Sequence, residues 1–292
     1  MKKFVFILFT TLSILGFVSC QKKPEAKKPQ ILVSIPSYEK LLNDIFADRY
    51  EVICVVPEGF NPHYFEVKPS DLNKIQNPEF WFGVNESFEK KLIETLSFRF
   101  SNLKYINLIE TIPKNALEND HECDHHHHHD HHHDIDMVDN HIWMSPRLLE
   151  LQLKFIKKTI PNLTKTEVVA FNQLETKLQN LDSKLSEKLR PCSGKAILVS
   201  HPSFGYFCKD YNIQQISIEC EGKQPMPRDL ENLEARLRNS SIICVFSQPQ
   251  FDQKGAILIA KKLNKPLYSI DPYSKNYFEM MNELEEKLLR QP

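Results

Sequence analysis

Apolar residues along this chain recur in short continuous runs separated by longer amphipathic stretches. In the first half the runs are Ile31–Ile35, Val52–Val56, Phe80–Gly83 and Tyr105–Leu108. In the second half they are Ala196–Ser200, Ile213–Ile218, Ile242–Phe246 and Leu267–Ile270. A run without polar alternation suits a strand covered on both faces, and such strands alternating with helices build a parallel sheet. The pattern predicts an α/β protein of two Rossmann-like lobes, residues 31–163 and 191–292, each with its own parallel sheet.

The most periodic helix falls between the lobes. Thr164-x-x-Glu167 has the form of a capping box, and Phe171, Leu174, Leu178, Leu181, Leu185 and Leu189 follow at three- and four-residue spacing. The helix should stop near Pro191 and Gly194. Over residues 164–190 it would be roughly 40 Å long at ~1.5 Å per residue. A continuous helix of that length is expected to join the lobes rigidly. The plainer alternative is an amphipathic helix packed on one lobe.

Composition narrows the function. The 292 residues carry 37 basic and 38 acidic side chains, a formal charge of −1, which leaves no basic field for nucleic acid. The N-terminus reads as an export signal over residues 1–19. Lys2 and Lys3 precede the apolar run Phe4 to Val18, which is too short to span a membrane comfortably. Phe17-Val18-Ser19-Cys20 resembles a bacterial lipoprotein cleavage box, although leucine is commoner than Phe17 at its start. That resemblance implies a lipidated Cys20 and a tether over residues 20–30, rich in Lys and Pro. A plain secretory signal or an N-terminal anchor helix is the alternative. The remaining cysteines are Cys54, Cys123, Cys192, Cys208, Cys220 and Cys244. An exported chain can form disulfides, but sequence settles no pairing. Cys54 and Cys244 lie in strand-like runs and are expected as buried thiols.

Four residues spread over two hundred positions carry the candidate chemistry: His63, His141, His201 and Asp271. In open α/β sheets ligands bind beyond the carboxyl ends of the strands. His201 directly follows one apolar run and Asp271 another. His63 follows Val52–Val56 through the turn-like Pro57-Glu-Gly-Phe-Asn-Pro62, and His141 precedes Ser145-Pro146, an N-cap and first-turn proline. Any one of these histidines alone reads best as a structural residue. Together they place two ligands on each lobe facing one cleft, and three imidazoles with one carboxylate suit a divalent metal such as zinc. A second feature lies between the first two. His121, His125, His126, His127, His128, His129, His131, His132 and His133 crowd the polar stretch 118–136, which is expected to be a mobile loop with weak, fast-exchanging metal affinity. A solvated insert with incidental affinity is the bland reading.

The segments around these residues resemble the metal-binding subunits of bacterial zinc and manganese ABC importers. Pro62-His63-Tyr-Phe-Glu-Val-Lys-Pro69-Ser70-Asp71 is similar to the family's first ligand motif. Asp139-Asn-His141-Ile-Trp143-Met-Ser145-Pro146 is similar to the second, with Asn140 where proline is usual. Ser200-His201-Pro-Ser-Phe-Gly205-Tyr206-Phe207 resembles the third, and Asp271-Pro272 the fourth. Glu221-Gly-Lys-Gln-Pro225-Met-Pro227 and Gln248-Pro-Gln250 resemble segments flanking the cleft. The resemblance spans most of residues 30–290 and implies an exported, membrane-anchored, monomeric receptor. Such a receptor captures Zn2+ as its transported ligand and passes it to an ABC permease and its ATPase. Manganese-type relatives tend to have a carboxylate at the position of His201, so three imidazoles favour zinc, with Mn2+ as the alternative.

Two other classes compete. A catalytic zinc keeps an open position for water beside a base. Asp271 would close that position, no His-Glu-x-x-His motif occurs, and Glu66 and Glu219 are explained as ordinary charged residues. A hydrolase is therefore disfavoured and the chain is expected not to be an enzyme. Nothing in the sequence points specifically to a surface adhesin.

Overall fold

The computed structural model describes residues 27–117, 138–219 and 240–290, together with the helical pair Leu233 and Leu237. The signal segment, Cys20, the histidine tract, Cys123, Cys220 and Glu221–Pro227 lie outside the described residues. All eight apolar runs are strands: β1 (Gln30–Val33), β2 (Glu51–Cys54), β3 (Pro78–Gly83), β4 (Lys104–Asn107), β5 (Ala196–Val199), β6 (Gln214–Ser217), β7 (Ile242–Ser247) and β8 (Leu267–Ser269). They form two four-stranded sheets with the same topology, β2-β1-β3-β4 and β6-β5-β7-β8. Every described pairing is parallel.

The central strands show why these runs lack polar alternation. Ile31 and Val33 face one core while Leu32, between them, faces another, and all three are fully buried. Ile197 and Val199 likewise face away from Ala196 and Leu198. A side chain points to alternate faces along a strand, so apolar residues at every position mean helices cover both faces.

Those helices are α1 (Pro36–Phe46), α2 (Ser87–Arg99), α3 (Pro146–Thr159), α4 (Lys165–Lys188), α5 (Gly205–Asp210), α6 (Lys254–Leu263) and α7 (Tyr277–Leu289). The linking helix α4 has its capping box formed: the Thr164 hydroxyl accepts from Glu167 N at 3.1 Å, and Glu167 Oε2 accepts from Thr164 N at 2.8 Å. It gives way to a 3-10 turn at Arg190–Cys192, followed by Gly194 at φ +74°. Its apolar stripe, Phe171, Leu174, Leu178, Leu181 and Leu185, enters one continuous core with residues of both sheets. α4 packs against α1 and α3 on one side of the molecule and against α7 on the other, so it is not confined to one lobe. Cys54, Cys192 and Cys244 are free thiols; Cys244 is fully buried and Cys54 only partly so. None of the described helices is long and apolar enough to cross a membrane.

Candidate metal centre

Each histidine of the described residues reaches the cleft from its own local device. His63 sits in a 3-10 turn, Pro62–Tyr64, closed by the Asn61 side chain accepting from His63 N at 2.9 Å. His141 caps the turn Ile142–Met144, and Asp139 Oδ1 accepts from its backbone N at 2.8 Å. His201 leaves the carboxyl end of β5. The buried amide of Gln248, after β7, clamps it by accepting from His201 N at 3.1 Å and donating to His201 O at 2.7 Å. Three segments separated by 78 and 60 positions thus deliver three rings to one point.

The rings converge through one nitrogen each. His63 Nε2 lies 3.3 Å from His141 Nε2 and 3.0 Å from His201 Nε2. The other nitrogen of every ring faces a carboxylate: His63 Nδ1 to Glu86 at 3.0 Å, His141 Nδ1 to Asp139 at 2.6 Å, and His201 Nδ1 to Glu219 at 2.5 Å. A carboxylate only accepts, so Nδ1 carries a proton, and the tautomer this selects for a neutral ring presents the Nε2 lone pair. Three lone pairs aimed at one another across about 3 Å repel unless a cation sits among them. A tetrahedral ion at ~2.0–2.1 Å from each nitrogen would hold the nitrogens roughly 3.3 Å apart. The donor set and its spacing therefore fit a zinc-sized ion.

The electrostatics agree. Burial, helped by its two histidine neighbours, lowers the His201 pKa well below the usual histidine value, so that ring is neutral at ordinary pH. The Tyr273 hydroxyl beside the cluster has its pKa raised by burial first, and then by Glu86, Asp139, Asp271 and Glu219. The cleft is thus a pocket of negative potential. Glu86 Oε1 is buried without a hydrogen-bond partner, which leaves its charge incompletely compensated by the protein. Two of the rings are shielded and the third is partly open to solvent: His141 is 2% exposed, His201 is 9% exposed with the Phe251 ring stacked on it at 4.1 Å and 9°, and the His63 side chain is 23% exposed.

Positioning extends outward from Glu86. Asn85, with φ 67°, sits in the left-handed region and turns the chain between β3 and α2. The buried Glu89 carboxylate holds this turn by accepting from Val84 N at 2.9 Å, Asn85 N at 3.0 Å and the Tyr105 hydroxyl at 2.6 Å. Gly83 is required for that approach, because a Cβ there would lie 2.5 Å from Glu89 Oε2 and 2.6 Å from the Tyr105 ring. Asn140 donates to Asn85 O at 3.2 Å, which ties the His141 segment to the same turn.

Asp271 is the fourth residue expected at the site. Among the described residues the group of converging donors is His63, His141 and His201, and Asp271 is outside it. Its Oδ1 accepts from Gln250 Nε2 at 2.8 Å and from Tyr273 N at 2.9 Å. The second bond is a turn in which an aspartate caps the amide two residues on, and it engages one of the two carboxylate oxygens. Sequence reading missed the three carboxylate partners. Asp139 lies two positions before His141, where its spacing is a local signal; Glu219 and Glu86 give none, since their partners are 18 and 23 residues away. Tyr273 was also missed, although it lies two positions after Asp271.

A family model described as zinc-uptake complex component A, periplasmic, matches residues 31–290. The chain belongs to this family. Its members are substrate-binding receptors of metal ABC importers rather than enzymes, and they work with a permease and an ATPase. A putative metal-binding protein of Chlamydia trachomatis is 27% identical over 277 residues, covering 93% of this chain and 95% of that one. The manganese ABC transporter substrate-binding lipoprotein PsaA of Streptococcus anginosus is 24% identical over 291 residues, covering 92% and 89%. The crystal structure of ZnuA superposes with a TM-score of 0.76 at 26% identity, covering 90% of this chain and 98% of that one.

Proposed function

We propose that this chain captures Zn2+ outside the cytoplasm through His63, His141 and His201 and delivers it to an ABC permease. The observation that carries the reading is the convergence of three Nε2 atoms, each ring held by its own carboxylate. Imidazole nitrogens suit zinc, whereas manganese prefers oxygen donors, and among the described residues the converging group is three imidazoles. Manganese remains the second reading because PsaA, similar along most of its length, is named for that metal. Lipidation of Cys20 would hold the receptor, a monomer, at the membrane, and the histidine tract would bind zinc weakly.

Calorimetric zinc titration of the wild type and His201→Ala tests the site. The wild type should show one tight site, and the variant should lose more than ~100-fold in affinity, the upper range for removing an outer partner of a ligand. Circular dichroism should show the variant folded. Unchanged tight binding in folded His201→Ala would reject the assignment.

A further inference from the structure

We infer that Tyr273 supplies the fourth ligand of the metal centre, the place expected for Asp271; this deepens the receptor reading above and rests on it. The Tyr273 hydroxyl oxygen lies 3.0 Å from His141 Nε2 and 3.2 Å from His63 Nε2. Those separations match the nitrogen–nitrogen separations within the trio, 3.0 and 3.3 Å, and the roughly 3.3 Å edge of a tetrahedron around zinc. The oxygen thus stands off two of the three nitrogens at the separation expected of a fourth vertex. A phenol proton can satisfy one Nε2 lone pair, and the second nitrogen then faces an oxygen lone pair at about the same distance. A cation shared by all of them removes that conflict.

The ring is placed for the task rather than left to find it. Tyr273 is 1% exposed. On its N-terminal side, Trp143 Nε1 donates to Pro272 O at 2.8 Å and Asp271 Oδ1 accepts from Tyr273 N at 2.9 Å. On its C-terminal side, the Ser37 hydroxyl donates to Ser274 O at 3.0 Å. Trp143 also packs against the ring, with centroids 5.7 Å apart. Both the Trp143 and the Ser37 contacts come from the first lobe, so a residue of the second lobe is fixed against the two histidines of the first. Asp271 on this account is a positioning residue: it shapes the turn that aims the tyrosine. The resulting sphere, three nitrogens and one phenolic oxygen, is closed, with no vertex left for a reactive water.

The experiment is a crystal structure of the zinc-loaded full chain with zinc titrations of Tyr273→Phe and Asp271→Asn. Phenylalanine keeps the ring and its packing, and asparagine keeps the oxygen that accepts from Tyr273 N and Gln250. The expected results are a zinc–oxygen distance of ~2.0–2.2 Å at Tyr273, an affinity loss on the order of 10–100-fold or more in Tyr273→Phe, and little change in Asp271→Asn. Zinc held by the three histidines with water or Asp271 at the fourth vertex would overturn the inference and leave the receptor reading intact, as would unchanged affinity in Tyr273→Phe. Zinc bound away from the three histidines would overturn the receptor reading itself.

Discussion

At the scale of single residues, binding strength depends on pairs rather than on ligands alone. Each imidazole needs its carboxylate to set the tautomer and hold the ring plane, and such partners are worth on the order of 10–100-fold in affinity. Glu219→Ala should therefore weaken zinc binding by that factor with His201 still in place, and calorimetry would show it. The pH dependence follows from the same rings. Protons compete with metal for imidazole nitrogen, so affinity should fall as pH drops below the reference histidine value of about 6.5. His201 is already neutral well below that value because burial disfavours its charged form. Fewer than three protons should therefore be taken up per zinc released near pH 6, counted by calorimetry in buffers of different ionisation enthalpy. In folding terms the sign is the same. A histidine whose folded pKa is depressed contributes fully above the unfolded value and loses that contribution as pH falls from there towards the folded one.

Helix α4 is the element whose sequence and structure agree most closely. Its 24 residues begin at a formed capping box, and its leucines line one stripe because three- and four-residue steps return to the same face. Leu178 is 1% exposed in the core shared by both sheets. Leu178→Ala should cost about 2–5 kcal/mol by deleting buried methyl groups and leaving a cavity. Urea unfolding would measure the loss, while zinc affinity per folded molecule should stay within a few-fold, since the cleft lies elsewhere. A comparable loss of affinity would mean that the helix acts on the site directly.

For the molecule as a whole, the question is how far the lobes move on loading. Besides α4, the two halves are joined beside the cleft: the Tyr206 hydroxyl donates to Asp139 O at 2.8 Å, and the Ser145 hydroxyl to Asp210 at 2.5 Å. Gly205 approaches so closely that a Cβ would meet Asp139 Oδ2 at 2.9 Å. A wide hinge would break these contacts and divide the continuous core. Solution scattering of apo and zinc-loaded protein should therefore give nearly the same overall dimensions, with hydrogen exchange slowing chiefly in the loops around the histidines. A large compaction on adding zinc would show that α4 is not a rigid spacer.

Periodicity along the chain was enough for the eight strands, the linking helix and its capped start, because strand and helix repeat at different intervals and the runs here are long enough to read. The three histidines were legible for a related reason: each lies at a strand end or a turn, where open α/β folds place ligands. The orientation of side chains within the cleft was not. Glu86 meets His63 only because Glu89 holds a left-handed turn at Asn85. Asp271 and Tyr273 are two positions apart, and either could face the metal until the turn is closed. The hydrogen bond from Tyr273 N to Asp271 Oδ1 engages one carboxylate oxygen, and the contacts of Trp143 and Ser37 hold the segment that carries the phenol. Those contacts join residues more than a hundred positions apart, and pairings at that range exist only once the two lobes have packed.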